Sequence, residues 1–419
     1  MNVDLVLLIT GGMLFVLGLL SAVLKRVFLT TVLAALLLGV ILGPEVLDII
    51  DPVTAVSSER RVLEGLARIT LAVTLMSAGL QVGKQDLKEQ WRRVLSLLTV
   101  GMFGMWFVTA LGAYLLLPIP LWMAVLIGAI LTPTDPVVAS TLVTGRMAKE
   151  NLTPTVRRSL QLESASNDGL ALPLVLIAIA FAPGQEGLGY WAFEALKEVT
   201  IGVAMGTALG FGAGKALEVA LHRWDIEHAS LVTLGLALAL GALGSIHLVG
   251  GSGVLGVFVA SLVFSLVVES ELRDELEEIE ESLVNVLILP VFTFFGAMLP
   301  WHSWSALGAG GVLFALWAVF LRRPFAAWGA LSIVRADRRE RVFLSWFGPM
   351  GVAALYYALL VETLGISRHH DIFAVASLAI CLSVVVHSLT ATPGIRLFKG
   401  RSMWTTLRHP LSSHIEQER

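Results

Sequence analysis

Runs of about twenty mostly apolar residues recur along the whole chain. Each is long enough to cross the roughly 30 Å hydrocarbon core of a bilayer as a helix. A single run can satisfy its backbone polar groups in lipid only by being helical. About thirteen such runs are expected, near 3–24, 27–43, 62–83, 94–117, 120–143, 158–183, 196–222, 229–248, 252–268, 283–299, 305–334, 341–364 and 371–392. The connections between them are short and carry turn signals such as Leu117-Pro118-Ile119-Pro120 and Ala182-Pro183-Gly184. Composition agrees: 56% of the residues are hydrophobic and 15% charged, against roughly 25% charged in soluble domains. A soluble enzyme, a disordered chain and a nucleic-acid binder are therefore disfavoured together. The net charge of −3 provides no polyanion-binding field, and the single cysteine, Cys381, rules out a disulfide framework or a multi-cysteine metal site.

The fold class expected is an all-α polytopic membrane protein. The first run has no basic n-region and no small-x-small cleavage site before Lys25-Arg26, so it reads as a span rather than a signal peptide. An odd number of spans puts the two termini on opposite sides. One set of alternate loops and the C-terminal tail hold about 22 Lys and Arg, the other set about 5. That bias places the N-terminus outside and the C-terminus in the cytoplasm of a cell inner (plasma) membrane. A transmembrane domain over 1–395 is followed by a short polar tail, 396–419. The acidic stretch Glu269 to Glu281 reads as a solvated connector helix.

Few charges lie within the apolar runs, where each costs several kcal/mol and marks function by default. They are Asp135, Glu163, Asp168, Arg322 and Arg323. Measured from the nearest basic residue at 1.5 Å per residue, Asp168, Asp135 and Arg323 come out about 15–18 Å deep, near the midplane, and Glu163 about 8 Å deep. In the sixth span Glu163 and Asn167 share one helix face, and Ser164 and Asp168 share another. The second face combines a carboxylate with a hydroxyl, which suits a small hard cation. Glu163 needs a cationic partner; Arg323 is the first choice and Arg322 the alternative.

The fifth span is interrupted. Pro133 and Pro136 flank Thr134-Asp135 and remove two backbone donors. The helix unwinds there, baring carbonyls that can ligate cations and a half-helix N-terminus that favours an anion such as Asp135. The twelfth span carries a matching break at Gly348-Pro349-Met350-Gly351. Pairing spans one to six (about 3–183) with spans eight to thirteen (about 229–392), and leaving about 196–222 as a linker helix, superimposes the two breaks. Two inverted repeats of six helices, with broken helices crossing at the midplane, are the signature of a transporter site.

At these residues the sequence resembles the NhaP-type branch of the monovalent cation/proton antiporters, over about residues 5–395. The resemblance rests on Thr132-Pro133-Thr134-Asp135-Pro136, on Glu163-x-x-x-Asn167-Asp168, and on Gly251-Ser252-Gly253-Val254-Leu255 followed by Val259-Ala260-Ser261-Leu262. It rests also on Arg323-Pro324 and on Trp346-Phe347-Gly348-Pro349-Met350-Gly351. It implies a homodimer in membrane lipid with a mobile core of broken helices, no cofactor, and a cation (Na⁺, Li⁺ or K⁺) and H⁺ bound in turn at Asp168. It implies that Thr134, Asp135 and Ser164 form or support the cation site, with no transition metal, and that Glu163 and Arg323 are a structural pair. Asn167 in place of a second acid implies electroneutral one-for-one exchange. The chain departs from many relatives at Ser77, where they have Glu, and at Met350, where they have Arg; Arg322 or Arg323 would have to replace the lost positive charge.

Other classes fit less well. A cation channel needs no titratable carboxylate beside a broken helix. An intramembrane serine hydrolase could use Ser252 in Gly250-Gly251-Ser252-Gly253 with His387 as base, but would leave Asp168, Asp135 and Arg323 unexplained. Thr74, Ser77, His247, His387 and Cys381 are read as packing or interface residues, and Gly210 with Gly214 as a helix-packing pair within one protomer.

Overall fold

The computed structural model describes residues 3–26, 30–50, 58–135, 150–223 and 228–398; among these every regular element is helical. In chain order the helices are α1 (Val3–Arg26), α2 (Thr31–Leu42), α3 (Ser58–Leu80), α4 (Lys84–Ser96), α5 (Met102–Leu116), α6 (Leu121–Ile130), α7 (Pro154–Ile179) and α8 (Leu188–Arg223). They continue as α9 (His228–Leu248), α10 (Gly253–Val267), α11 (Ser270–Ala297), α12 (Trp301–Phe320), α13 (Arg322–Ile333), α14 (Arg338–Trp346), α15 (Val352–Thr363) and α16 (His369–Phe398). A π-helical turn, Leu97–Gly101, joins α4 to α5.

Local chemistry sets the ends. Thr30, Thr153, Ser252 and Asp337 each accept a hydrogen bond from a first-turn N–H of α2, α7, α10 and α14. Pro154 adds a preset φ at the start of α7. The eleventh expected run divides at Leu321 into α12 and α13. Pro324 has no N–H for the Phe320 carbonyl, so the first helix stops there and a second starts at Arg322. The acidic stretch expected as a connector is the first half of α11, continuous with its apolar half Ser282–Ala297.

Among the described residues, five helical stretches are long and apolar enough to cross a membrane unaided, and seven shorter apolar helices have 10–17 residues. Short apolar helices fit a fold in which spans are broken or assembled from halves. The outer surface is apolar on a scale soluble proteins avoid: Phe15, Phe107, Phe193 and Leu115 are all more than 60% exposed. The interior is closely packed. On α8, Gly202, Gly206, Gly210 and Gly214 recur every fourth residue against α10, and a Cβ at Gly206 or Gly210 would strike backbone of Gly256 or Ala260. The small-residue pair expected at Gly210 and Gly214 is thus part of a longer ridge that packs within the protomer.

Candidate functional site

The fifth span stops being helical at Ile130, and Leu131 to Asp135 run on without a helix. Pro136 and the remainder of that span, through Lys149, lie outside the described residues. At the second break α14 ends at Trp346, α15 begins at Val352, and Phe347 to Gly351 between them are not helical.

The two breaks meet and are stitched together. The Asp135 N–H donates to the Pro349 carbonyl at 2.8 Å, and the Val352 N–H donates to Asp135 Oδ2 at 2.7 Å. Asp135 therefore places its carboxylate at the N-terminus of the opposite half-helix, α15, where the helix dipole favours an anion. Gly351 makes this approach possible: a Cβ there would lie 2.6 Å from Asp135 Cβ and 2.7 Å from its Cγ.

Arg322 performs the converse task. Its Nη1 donates to the carbonyls of Leu131, of Thr132 at 3.2 Å and of Pro133 at 3.3 Å. Its Nη2 donates to the Gly348 carbonyl at 2.8 Å. One buried guanidinium thus satisfies the carbonyl ends of both broken helices, where a cation is favoured. The unwound carbonyls of the first break are accordingly not left open.

Arg323 takes the other role expected for the pair. Its Nη1 and Nη2 donate to the two carboxylate oxygens of Glu163 at 2.9 and 2.8 Å, and its Nε donates to the Leu344 carbonyl at 3.0 Å. Both side chains are almost completely buried. The bidentate geometry is what makes a buried ion pair tolerable. Although Glu163 lies nearer the basic end of its helix, the long Arg323 side chain brings it into the same cluster.

Asn167 links this pair to the first break. Its Nδ2 donates to Glu163 Oε1 at 2.9 Å and to Thr134 Oγ1 at 2.8 Å, while its Oδ1 accepts from the Thr134 N–H at 2.9 Å. The Thr134 and Ser164 hydroxyls share a hydrogen bond at 3.1 Å. Asp168 lies one turn beyond Ser164. It is fully buried, and among the described residues neither carboxylate oxygen has a hydrogen-bond partner. The Tyr357 hydroxyl donates to the Asp168 backbone carbonyl at 2.5 Å.

The structure therefore brings Thr134, Asp135, Glu163, Ser164, Asn167 and Arg323 into one connected network, with Asp168 on the same helix. Two participants escaped the sequence reading. Arg322 was weighed as an alternative partner for Glu163 and as a replacement for the charge missing at Met350, not as a bridge between the breaks, and Tyr357 was not weighed; a tyrosine in an apolar helix needs a partner for its hydroxyl, which is the signal that could have found it. The hydrolase pairing is not formed. Ser252 Oγ caps α10 by accepting from the Leu255 N–H, and the His387 ring nitrogens face the Ser383 and Trp346 carbonyls. Among the described residues no group of three or more His, Cys, Asp and Glu is arranged to hold a metal ion.

The family model described as "Sodium/hydrogen exchanger, transmembrane" matches residues 12–396. The chain belongs to the sodium/hydrogen exchanger family. Among its relatives is a Na⁺/H⁺ antiporter of Schizosaccharomyces pombe, 27% identical over 378 residues, covering 87% of this chain and 80% of that one. Na⁺/H⁺ antiporter 2 of Zygosaccharomyces rouxii is 27% identical over 348 residues, 80% of this chain but 43% of the yeast protein. The exchanger chain therefore spans less than half the length of that relative. The K⁺/H⁺ antiporter NhaP2 of Shewanella oneidensis is 25% identical over 80% of this chain and 57% of its own. The solved structure of the sodium proton antiporter MjNhaP1 from Methanocaldococcus jannaschii at pH 8 shares the exchanger fold, with TM-score 0.77, 21% identity and coverage of 95% and 99%.

Proposed function

We propose that this exchanger is a secondary transporter that exchanges a monovalent cation, Na⁺ or Li⁺, for H⁺ by alternating access at Asp168, one cation against one proton. The observation that carries this reading is charge balance. Glu163 is neutralised by Arg323, Arg322 by four carbonyls, and Asp135 is set against a helix N-terminus. Among the described residues of this cluster, Asp168 alone has a carboxylate without such a partner. A buried carboxylate of this kind is strongly driven to take up either a proton or a cation. Ser164 and Thr134 supply further oxygens for a cation, and protonation of Asp168 removes its principal ligand. The two therefore compete, and only a neutralised site crosses the hydrocarbon cheaply.

Asn167 supports the one-for-one count, because an amide adds no second titratable group beside Asp168. K⁺/H⁺ exchange by the same mechanism is the second reading. It is favoured by the likeness to K⁺/H⁺ antiporters and by Ser77 standing where many relatives have Glu. The further parts of the reading are thirteen crossings, two inverted repeats, a homodimer in the inner membrane, an external N-terminus and a cytoplasmic tail. The bias of basic residues supports the orientation.

The test is Asp168→Asn in everted vesicles or proteoliposomes. Dissipation of an imposed pH gradient by Na⁺, Li⁺ or K⁺ should vanish, and exchange at the wild-type rate would refute the assignment. Running the three cations on the wild-type protein separates the Na⁺ from the K⁺ reading.

A further inference from the structure

A cleft of about 540 Å³ lies between α14 and the end of α16, and Asp168 is not among the residues that line it. Its size falls within the roughly 300–1,000 Å³ of small-molecule sites. Phe343 and Trp346 from α14, with Phe347 just past its end, face Pro393, Leu397 and Phe398 from α16 across it. The Phe343 ring packs on Phe347 at 4.6 Å and on Phe398 at 5.1 Å between centroids, so the wall is continuous and aromatic. Leu397 and Val342, both more than half exposed, line its open side.

One end of the cleft is polar. Arg338 and Arg339 line it at the first turn of α14, and among the described residues neither has an ion-pair partner. The nearby acids are engaged: Glu340 pairs with Arg93 at 2.9 Å, and Asp337 caps the helix by accepting from the Arg339 N–H at 2.9 Å. Two unpaired guanidinium groups at a helix N-terminus form a site for an anionic oxygen group. From Arg338 to Trp346 the helix advances about 12 Å, and after the first turn and a half its only polar residue is the buried Ser345.

A charged head at one end and a long aromatic slot, in a chain that spans a membrane, match one occupant. We propose that this cleft binds an anionic phospholipid, with its phosphate held by Arg338 and Arg339 and one acyl chain laid between α14 and α16. The chain's own continuation, residues 399–419, is the competing occupant, since it leaves from Phe398 at the rim. Charge argues against it. That segment carries Lys399, Arg401, Arg408 and Arg419 against Glu416 and Glu418, the same sign as the two arginines. A basic segment at this end instead raises the local concentration of anionic lipid. The lipid would brace the helix whose Leu344 carbonyl holds Arg323, and so reach the ion-pair network from the bilayer. The proposal rests on the chain being a membrane protein, and not on the exchange reaction.

The test uses the full chain, delipidated in detergent, with phosphatidylglycerol or phosphatidylcholine added back and retained lipid counted by native mass spectrometry. The wild type should retain phosphatidylglycerol in preference. Arg338→Gln with Arg339→Gln should weaken that retention about thirtyfold while leaving phosphatidylcholine unchanged. Val342→Trp, at an exposed position on the open side, should abolish retention of the site's lipid without lowering the melting temperature. Equal retention of the two lipids by the wild type would overturn the proposal, as would unchanged retention in either variant. Trp404 is the one aromatic residue of 399–419; selective retention of phosphatidylglycerol that appears only in Trp404→Ala, and not in the wild type, would overturn it too, by showing that the tail fills the cleft.

Discussion

The Asp135 carboxylate accepts the backbone N–H of Val352 at 2.7 Å, so the acid of one broken span caps the helix that restarts the other. The side chain is buried beside Gly351. Asp135→Asn keeps an acceptor oxygen but loses the charge opposed to the helix dipole, and should destabilise the protein by about 1 kcal/mol. Asp135→Ala, which removes the acceptor, should cost about 2 kcal/mol or more. Melting temperatures in detergent give the order. Equal stability of the two variants would mean that the cap contributes nothing.

Arg322 bridges both breaks with a single planar fork. Arg322→Met strands four carbonyls in the interior and should lower stability by several kcal/mol. Arg322→Lys keeps the charge but cannot reach both breaks at once, so it should rescue only part of that loss. Full rescue by lysine, read from thermal unfolding and the yield of monodisperse protein, would show that charge alone matters.

Asn167→Asp tests the one-for-one count from an unexpected side. The amide donates to Glu163 and to Thr134 Oγ1, and a carboxylate cannot. Two carboxylates would face each other at about 2.9 Å where the wild type has a hydrogen bond. The variant should therefore lose stability and exchange rate, and should not become electrogenic. Current on a solid-supported membrane decides this; a robust sodium-driven current would contradict it.

Glu280 gives a pH prediction outside the site. It sits on the polar half of α11, ahead of the apolar stretch, packed against Gly235 of α9. It is fully buried, and neither carboxylate oxygen has a partner among the described residues. Burial pushes its pKa up from 4.5 to about 7. Because the folded value exceeds the unfolded one, its contribution to stability is complete at low pH and is lost as pH rises through 7. The wild-type melting temperature should fall from pH 6 to 8 relative to that of Glu280→Gln. Parallel curves would remove Glu280 from the account.

Much of this site was legible in the chain because charge is so scarce within its apolar runs. Asp168, Glu163 and Arg323 could be singled out by cost alone, and the partner of Glu163 could be named because an unpaired buried acid is untenable. The breaks were legible from Pro133 and from Gly348-Pro349. What the sequence hid was the crosswise connection. A cap is normally sought within a few residues of the helix it serves, whereas Asp135 serves Val352. The partners of Arg322 are carbonyls, which carry no side-chain signature, so its role emerges only when the two breaks lie together. The split at Leu321 was also missed, since one proline in a long apolar run reads equally well as a kink.

That crosswise stitching has a consequence for how the protein is made. Asp135 is synthesised 187 residues before Arg322, and Leu131 to Pro133 slightly earlier still. At roughly 5–20 residues per second, the wait is about 10–40 s. During that interval the first broken span holds polar groups in lipid without their permanent partners. Its early helices must be sheltered by water, translocon or chaperone until the second half arrives. A ribosome that stalls before Arg322 leaves a chain whose first break cannot close, a defect that membrane quality control can recognise by its exposed polar backbone.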